Sequence, residues 1–379
     1  MKMKMKNNRV VDLFCGCSGL GLGARQAGFE VALSIDIDSI LTSSHSKNFP
    51  GESVHLGDVA SMSGSELKKL SGGQINGIVG GPPCQGFSSM GKSDPSDVRR
   101  SLLGHFFRLI SEVEPDFFLM ENVKGLLDRR NVGELEAALD QVRDRYSIAG
   151  PHVFNAKDFG AATNRPRVFV LGLKNGGTKH LLSCIESRKK PATSVRDAIE
   201  DLIGAELISN RKSEIDWWRI KDCIRFSEYS KSMRTKDGIT SGLRTVPHKD
   251  EVAQRFASVL PGKVDKIGRH YRLDWDGQCP TLRAGTGPDK GSFQSVRPLH
   301  PELPRVINVR EAARLQGFPD WFQFHRASWH SFRMIGNSVS PIISRELFLS
   351  LIDARISICD PQPSWSPCAY TAPIEIKAN

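Results

Sequence analysis

A glycine-rich turn directly after the first apolar strand constrains this fold more than any other feature of the sequence. Residues 9–14 have the composition of a short buried strand, and residues 15–23 contain four glycines. A helical stretch at 24–27 and a second strand at 30–35 follow. A strand, a tight turn, a helix and another strand make the β-α-β unit of a parallel sheet.

The same alternation continues along the first half of the chain. Apolar, β-rich runs at 75–79, 117–120 and 167–173 are separated by helical stretches such as 102–113 and 133–145. Strands that alternate with helices pair in one sheet with helices on both faces. We therefore predict an α/β fold with a doubly wound, mainly parallel sheet over about the first 175 residues.

The composition changes after residue 177 and indicates a second, smaller domain. Residues 181–330 show few regular periods until a helical pattern returns at 309–315, and a final amphipathic helix covers 342–356. Residues 181–330 hold 26 basic and 19 acidic residues, whereas the rest of the chain holds 26 and 23. Most of the net charge of +10 therefore lies in the irregular segment, which favours an acidic partner such as nucleic acid.

Composition also argues against several classes of protein. Hydrophobic residues make up 39% of the chain and charged residues 25%, as in ordinary globular enzymes. No apolar run approaches the ~20 residues of a membrane span, and residues 1–6 lack the apolar stretch of a signal peptide, so we expect a cytoplasmic protein with no membrane partner. The eight cysteines include no Cys-x-x-Cys pair, so we expect free thiols and no metal.

Two features of the first β-α-β unit indicate a nucleoside cofactor. The glycine turn offers backbone N–H groups at the start of a helix, and Asp36 ends the second strand, where a carboxylate accepts ribose hydroxyls. The spacing of Gly16, Gly19 and Gly21 departs from the dinucleotide fingerprint, which favours a cofactor other than NAD. The alternative is a tight turn of the kind found in any α/β protein.

A single cysteine follows the strand at 75–79. Pro82 and Pro83 stiffen the approach to Cys84, and Gly86 follows within the same turn. Open α/β sheets bind ligands at the carboxyl ends of their strands, so Cys84 is a candidate nucleophile. The alternative is an inert buried thiol, the usual state of cysteine, although Pro-Pro and Gly rarely bracket one.

Charged side chains at the next strands complete the candidate site. Glu121 ends the strand at 117–120, and a carboxylate in that position needs a partner or a function. Arg165 and Arg167 alternate on entry to the following strand, so both face one side and suit anion contacts. A solvated pair of arginines is the alternative.

Six ordered blocks of the sequence resemble the DNA (cytosine-5) methyltransferases. They extend over about residues 9–356, and together they are far more specific than any one block. The main gap in the resemblance is the stretch from about 180 to 295. The blocks are Asp12–Gly16, Pro82–Ser88, Glu121–Val123, Asn164–Arg167, Val309–Pro319 and Gly336–Val339.

The resemblance implies that the sheet binds S-adenosylmethionine. The first glycine turn would hold the amino-acid end of the cofactor, Asp36 the ribose and Asp58 the adenine amine, while residues near the far end of the chain close the pocket. The implied cofactor-binding residues are Phe14, Gly16, Ser18, Gly19, Asp36, Ile37, Asp58, Val59, Pro83, Asn337 and Val339.

The resemblance also implies the chemistry of methyl transfer. Cys84 would add to carbon 6 of cytosine, Glu121 would bind or protonate ring nitrogen 3, and Arg165 would contact the base carbonyl and steady Glu121. Because a stacked base cannot react in this way, the cytosine must be flipped out, and residues 85–100 are expected to close over it. The expected DNA-binding residues in this half of the chain are Gln85, Ser88, Lys92, Arg99, Arg100 and Arg167.

Residues 336–339 must return to the first sheet if they close the cofactor pocket. The large catalytic domain is therefore expected to be discontinuous, built from residues 1–180 plus 331–379. Residues 181–330 would form an inserted target-recognition domain.

Within the inserted domain, the glycine-rich stretch 281–291 carries side chains able to contact base edges. We nominate Arg283 and Lys290 for DNA contact. Trp217 and Trp218 are expected in the core of this domain rather than as a stacking platform.

These features predict a DNA (cytosine-5) methyltransferase of restriction–modification type. We expect a monomer that acts on double-stranded DNA, alongside a cognate restriction endonuclease that acts on the same site without forming a stable complex. Two alternatives stay open: an enzyme of the same family that methylates transfer RNA, and a catalytically silent relative that only occupies DNA.

Overall fold

The computed structural model describes residues 8–52, 54–83, 101–208, 215–222, 226–285 and 296–359. Among these residues, no helix is both long enough and apolar enough to span a membrane. Several residues singled out in the sequence lie outside the described ranges, namely Cys84, Gln85, Ser88, Lys92, Arg99, Arg100 and Lys290.

A mixed sheet forms the centre of the fold. The strands described in the first half of the chain are β1 (Arg9–Leu13), β2 (Glu30–Asp36), β3 (Val54–Leu56), β4 (Gly77–Gly80), β5 (Phe117–Asn122), β6 (Ser147–Asn155), β7 (Thr163–Asn164) and β8 (Pro166–Leu173). Seven of them join in the order β3-β2-β1-β4-β5-β8-β6. The first five pair in parallel, and β8 runs antiparallel to both of its neighbours. The prediction of a mainly parallel α/β sheet is confirmed.

Helices cover both faces of this sheet. Alternate side chains of β5 point to opposite faces, as in any strand. Phe117 and Leu119 pack with the helices at residues 19–26, 178–187 and 341–359, whereas Phe118 and Met120 pack with those at 64–70, 101–113 and 132–140. The sheet is therefore doubly wound. The helices named here are α1 (Gly19–Gln26), α2 (His45–Asn48), α3 (Gly64–Leu70), α4 (Ser101–Val113), α5 (Val132–Asp140), α6 (Thr178–Ser187), α7 (Val195–Ile199), α8 (Glu228–Met233), α9 (Asp250–Ala257), α10 (Val309–Gln316), α11 (Ser328–Asn337) and α12 (Pro341–Cys359).

Two strands of the sheet are absent from the sequence prediction, and one helix begins earlier than predicted. The strand β3 is three residues long, and β6 contains Gly150 and Pro151, which interrupt any regular pattern. Their pairing with β2 and β8 outweighs the weak local preference for a strand. The helix α1 begins at Gly19 rather than at residue 24, because Gly19 and Gly23 pack closely against Val339 and Ser344 instead of ending the turn.

The second half of the chain contains a small antiparallel sheet. Its strands are β9 (Glu206–Leu207), β10 (Trp217–Arg219) and β11 (Ile239–Ser241), in the order β11-β10-β9. Trp218 is partly buried against the apolar cluster below this sheet, and its Nε1 donates to Asp216 at 2.7 Å. The short strand β12 (Cys279–Pro280) pairs in parallel with β7 and joins this half of the chain to the first.

A buried arginine joins α10 to the rest of the second half. The side chain of Arg314 is fully buried and contacts Asp201 at 3.1 Å and Asp320 at 2.6 Å. The backbone oxygen of Arg314 also accepts the hydroxyl of Tyr229 at 2.6 Å. Segments more than 100 residues apart are thus held together by one charged cluster.

The last helix of the described chain, α12, packs against the first helix, α1. Leu347, Phe348 and Leu351 of α12 pack in the same apolar cluster as Leu20 and Ala24 of α1. The helix α6 belongs to this cluster too, so packing against the first sheet continues past residue 180. The division into residues 1–180 plus 331–379 and residues 181–330 stays a prediction.

Candidate active site

The turn after β1 has an unusual backbone. Phe14, Gly16 and Ser18 have φ angles of 57°, 53° and 63°, in the left-handed region that side chains disfavour. The carboxylate of Asp36 holds the turn by accepting the N–H of Gly16 at 2.8 Å. A strained turn kept in place by a neighbouring strand is a recurrent feature of ligand-binding sites.

A buried polar network supports this turn from below. The hydroxyl of Ser18 donates to Asp12 Oδ2 at 3.2 Å and accepts from Nη1 of Arg25 at 3.2 Å. Burial raises the pKa of Asp12 to about 7, although the charge of Arg25 opposes the rise. Arg25 is held in turn by an ion pair with Glu52. The turn is therefore fixed relative to α1 by side chains that the sequence analysis did not single out.

The end of β2 places two candidate residues, Asp36 and Ile37, beside Asp38. The carboxylate of Asp36 is buried and also accepts the N–H of Asp38 at 2.8 Å. Burial raises the pKa of Asp36 in spite of these hydrogen bonds. Ile37 is 72% exposed, which is unusual for a large apolar side chain, and Asp38 forms an ion pair with Arg333 of α11.

Asp58 and Val59 follow the neighbouring strand. Asp36 pairs with Leu56 in the register of β2 and β3, and the N–H of Gly57 donates to the carbonyl of Asp36 at 3.1 Å. Asp58 is exposed and accepts the N–H of Ala60, whereas Val59 is buried. Asp36, Ile37, Asp58 and Val59 therefore lie at adjacent strand ends.

Residues from the far end of the chain reach the same place. A Cβ atom at Gly19 would lie 2.4 Å from the carbonyl oxygen of Val339, so only glycine permits this approach. The Nε2 of Gln316 donates to the carbonyl of Ser338 at 2.9 Å and holds the segment there. Asn337 is exposed at the end of α11, and Val339 is buried.

Glu121 lies at the end of β5 and is nearly buried. Its Oε1 forms an ion pair with Nε of Arg167 at 3.0 Å, and both side chains are at most 15% exposed. Burial raises the pKa of Glu121, while the charges of Arg167 and Arg165 lower it. The Oε2 of Glu121 would lie 3.1 Å from a Cβ atom at Gly81, so glycine lets the turn after β4 approach this carboxylate.

Asn122 connects the ends of β4 and β5. Its side-chain amide donates to the carbonyl of Pro82 at 3.2 Å and accepts the N–H of Val123 at 2.8 Å. Asn122 is buried, and Pro83 is half-buried in the turn that leads to Cys84. The position of Asn122 directly after Glu121 was the one signal in the sequence that could have identified it.

Arg165 and Arg167 have different partners, which changes one expectation. Arg165 was expected to contact the base carbonyl and steady Glu121. Its charge lowers the pKa of Glu121, while its Nη1 donates to the carbonyl of Leu282 at 3.0 Å and its Nη2 to that of Gly336 at 2.7 Å. The residue that is hydrogen-bonded to Glu121 is Arg167, which was expected to contact DNA. The pairing of β7 with β12 draws Arg165 toward the second half of the chain, whereas Arg167 lies on β8, next to β5.

The glycine-rich stretch of the second half begins beside Arg165. The hydroxyl of Thr281 donates to the carbonyl of Asn164 at 2.9 Å, and a Cβ atom at Gly336 would lie 2.4 Å from the backbone of Ala284. Arg283 is exposed at this point. The start of the stretch is thus packed between β7, which directly precedes Arg165, and the helix that ends at Asn337.

The two cysteines of the first turn are enclosed thiols. Burial raises the pKa of Cys17 to about 12 and also raises that of Cys15. Within the described ranges, no three His, Cys, Asp or Glu side chains are grouped as metal ligands.

Comparison with known proteins shows one consistent similarity. The profile of the family described as C-5 cytosine-specific DNA methylase matches residues 8–353. The Type II methyltransferase M.XorII of Xanthomonas oryzae is 38% identical over 360 residues, which cover 88% of this chain and 82% of that protein. The Type II methyltransferase M.DdeI of Desulfomicrobium norvegicum is 30% identical over 378 residues, with 89% and 87% covered.

Solved structures agree with this similarity. A putative DNA modification methyltransferase encoded within a prophage of E. coli superposes with a TM-score of 0.78 at 37% identity, covering 92% of this chain and 99% of that one. The Dnmt2 methyltransferase of S. pombe superposes with a TM-score of 0.59 at 15% identity, covering 93% and 98%, and this more distant likeness concerns the fold alone.

Proposed function

The chain belongs to the family of C-5 cytosine-specific DNA methylases and is a DNA (cytosine-5) methyltransferase, and from this premise we propose how its residues act. We propose that it transfers a methyl group from S-adenosylmethionine to a cytosine flipped out of a specific duplex sequence. Cys84 would form a transient covalent bond with carbon 6 of that cytosine.

The residues at the ends of β1, β2 and β3 suit this cofactor. The carboxylate of Asp36 is fixed by two backbone N–H groups and keeps further acceptor capacity for ribose hydroxyls. Ile37 offers an exposed apolar face for the adenine, and Asp58 offers an exposed carboxylate for its amine. Bound S-adenosylmethionine supplies an electrophilic methyl group on a sulfonium ion.

Pro83, Asn337 and Val339, together with Phe14, Gly16, Ser18 and Gly19, are proposed to line the rest of the cofactor site. The support is the close approach of Val339 to Gly19 and the left-handed backbone of the turn.

Cytosine carbon 5 becomes nucleophilic only after the ring conjugation is interrupted. Addition of the Cys84 thiolate to carbon 6, with a proton delivered to nitrogen 3 by Glu121, produces an enamine-like ring. Carbon 5 then takes the methyl group, and nitrogen 3 returns its proton to Glu121. A base removes the proton of carbon 5, the double bond between carbons 5 and 6 re-forms, and carbon 6 releases the Cys84 thiolate. Arg167 would orient Glu121 and contact the base carbonyl, the role first expected of Arg165.

The observation that carries this proposal is the buried ion pair of Glu121 with Arg167, next to the turn that leads to Cys84. A carboxyl with a pKa raised by burial retains its proton more readily at neutral pH, as a general acid requires. Asn122 also ties Pro82, in the turn that leads to Cys84, to the strand that carries the acid.

The recognition of DNA is proposed for residues outside this core. Lys92, Arg99 and Arg100 are proposed to bind phosphates and Gln85 and Ser88 to approach the flipped base; all five lie outside the described residues. Arg283 and Lys290 remain proposed contacts to base edges. The division into a discontinuous catalytic domain and an inserted recognition domain, and action as a monomer, are part of the same proposal.

The similarity to Type II methyltransferases supports a role in restriction–modification. A cognate endonuclease would then cut the same sequence when it is unmethylated. Bisulfite sequencing of genomic DNA from cells that express the protein would reveal the methylated cytosine and its sequence context together.

The decisive test is transfer of labelled methyl groups from S-adenosylmethionine to duplex DNA by the purified protein. Incorporation into cytosine is expected for the wild type, and Cys84→Ala should abolish it. Cys184→Ala is the matched control, because that thiol lies on α6, remote from the proposed site. Transfer that survives Cys84→Ala would refute the proposed adduct.

Two further measurements address the alternatives. Methyl incorporation into transfer RNA in place of duplex DNA would identify an RNA-directed enzyme. Tight DNA binding without any covalent adduct on 5-fluorocytosine-substituted DNA would identify a silent binding protein.

A further inference from the structure

A hairpin in the second half of the chain presents an exceptional combination of side chains. Its two arms are joined by backbone hydrogen bonds from Gly262 to Arg272, from Arg272 to Lys263, and from Asp265 to His270, all between 2.8 and 3.0 Å. We call residues 260–272 the basic hairpin. It lies within residues 181–330, the proposed recognition domain, but no individual residue of it has been given a role above.

The tip of the basic hairpin is held rigidly. Asp265 is buried and accepts the N–H of Gly268 at 2.7 Å, and it forms an ion pair with Arg255 at 3.2 Å. The N–H of Arg269 donates to the carbonyl of Asp265 at 2.9 Å, with Arg269 in the left-handed region at φ 57°. A tip ordered in advance pays little conformational entropy when it binds a partner.

The base of the basic hairpin is anchored by one buried arginine. The guanidinium of Arg272 donates to five backbone carbonyls within 3.3 Å, and a small apolar cluster packs beside it. The five carbonyls belong to Phe256, Val259, His300, Glu302 and Leu303.

The basic hairpin has both exposed apolar side chains and exposed cationic side chains. Leu260, Val264 and Ile267 are 68%, 52% and 69% exposed, a high value for large apolar side chains that lie close together in the chain. The exposed cations are Lys263, Lys266 and Arg269, which make no ion pair with any residue of the described ranges.

The position of the basic hairpin relates it to the proposed DNA-reading stretch. The Nδ1 of His270 donates to the carbonyl of Arg297 at 2.7 Å, and Arg297 lies six residues beyond the end of the stretch 281–291 in the sequence. The other end of that stretch is held by Arg165 at Leu282. The basic hairpin is therefore hydrogen-bonded to the described segment that follows this stretch in the chain.

We propose that the basic hairpin is a second DNA-contacting surface, which binds the phosphodiester backbone flanking the target site. Its three cations would neutralise phosphates, and its three apolar side chains would cover deoxyribose. Three unpaired cations favour a polyanion over a protein partner or a second copy of this chain, and duplex DNA is the polyanion that the enzyme must hold. The inference rests on the proposed function, since it assumes a duplex DNA substrate.

The test is a salt titration of DNA affinity with the full-length protein and a fluorescein-labelled duplex of mixed sequence. The triple variant Lys263→Gln/Lys266→Gln/Arg269→Gln should weaken binding by about 10-fold or more and reduce the slope of log Kd against log salt concentration by roughly 2 to 3. Ile267→Ser should weaken binding with little change of slope, because it removes apolar contact and no charge.

The matched control is Lys68→Gln/Lys69→Gln, two exposed cations on α3. That helix ends beside Arg9 at the amino end of β1, on the opposite edge of the sheet from the proposed site. The control should leave both affinity and slope unchanged, and thermal melting should show that every variant is folded.

Methyl transfer gives a second readout. The triple variant should raise KM for DNA and leave kcat within about twofold, since the basic hairpin does not touch the reacting base. A folded triple variant with wild-type affinity and slope would overturn the inference, as would self-association that Ile267→Ser abolishes without altering DNA affinity. If the wild type bound no duplex DNA at all, the proposed function itself would fail, so the two failures are distinct.

Discussion

Two opposing effects act on Glu121. Removal from water favours its neutral form, whereas the guanidinium of Arg167 at 3.0 Å and the more distant charge of Arg165 favour the carboxylate. The balance leaves the pKa raised, which suits a side chain that gives a proton to ring nitrogen 3 and takes one back. Arg167 therefore has two effects on Glu121: it orients the carboxylate and it limits the rise of its pKa.

The first prediction separates the two arginines near Glu121. Arg167→Ala should lower kcat by about 100-fold or more, because Glu121 loses its orienting partner, and should move the pH profile of kcat toward higher pH. Arg165→Ala should instead lower the free energy of unfolding by roughly 1–3 kcal/mol, because the carbonyls of Leu282 and Gly336 lose a buried donor.

Steady-state kinetics across a pH series and urea denaturation of both variants would measure this contrast. Arg167→Lys is the control that keeps the charge and loses the planar geometry, so its pH profile should stay closer to the wild type. An Arg165→Ala protein of normal stability with the larger loss of kcat would restore the original expectation for Arg165.

Asp12 gives a second prediction at the level of the residue. Its native pKa of about 7 exceeds the ordinary value of 3.8, so between these two pH values the folded chain binds more protons than the unfolded chain. The free energy of unfolding should therefore decrease as pH rises through this window, by at most about 1.4 kcal/mol per pH unit. Asp12→Asn cannot ionise and should reduce the decrease between pH 5 and pH 8.

Urea denaturation at the two pH values would provide the comparison. Asp128→Asn, at an exposed position, is the control and should retain the wild-type pH dependence. An Asp12→Asn protein that keeps the full decrease would show that other groups are responsible.

At the level of the element, the contact of α1 with α12 depends on glycine. A Cβ atom at Gly23 would lie 2.3 Å from Cβ of Ser344 and 2.5 Å from the backbone nitrogen of Arg345. The hydroxyl of Ser344 donates to the carbonyl of Leu20 at 2.6 Å, so the two helices are hydrogen-bonded as well as packed. The final helix can approach the first turn this closely only because the facing positions lack side chains.

The third prediction follows from this contact. Gly23→Ala should lower the free energy of unfolding by about 1–3 kcal/mol, because Cβ of Ser344 and the backbone of Arg345 block the added methyl group and neither can rotate away. Gly104→Ala, in α4, meets nothing nearer than Nε2 of Gln141 at 3.9 Å and should raise stability by about 0.5–1 kcal/mol. Urea denaturation should give opposite signs, and equal effects would contradict the proposed contact.

At the scale of the whole molecule, one buried charge cluster holds distant segments together. Arg314 on α10 lies between Asp201 and Asp320, and removal of the cation would leave two carboxylates buried without a partner. Burial alone would lower the pKa of the guanidinium, but the two carboxylates outweigh it and raise that pKa. The cluster is a structural one, separate from the proposed reaction.

The fourth prediction concerns this cluster. Arg314→Ala should lower the free energy of unfolding by about 3–5 kcal/mol, the typical result of breaking a buried ion pair. Arg143→Ala removes the exposed pairs with Glu136 and Asp140 and should change it by less than about 1 kcal/mol. Thermal unfolding that shows similar shifts for both variants would contradict the assignment.

The sequence was sufficient to predict the broad fold and to name most of the candidate residues. Strands and helices of the first half were predictable because each has its own periodicity, and turn residues such as Gly16 and Pro83 mark their ends. Periodicity failed for β3 and β6, which are short or interrupted and depend on their neighbours in the sheet.

By contrast, only the three-dimensional structure showed which side chains pair with each other. Alternation along a strand predicted a role for both Arg165 and Arg167, but it could not predict which of them forms the ion pair with Glu121. That choice depends on the different strands with which β7 and β8 pair. The approach of Val339 to Gly19 and the anchoring of the basic hairpin by Arg272 are likewise contacts between segments far apart in the chain. The local sequence determines which chemical groups are present at each position, whereas long-range packing determines which of these groups come into contact.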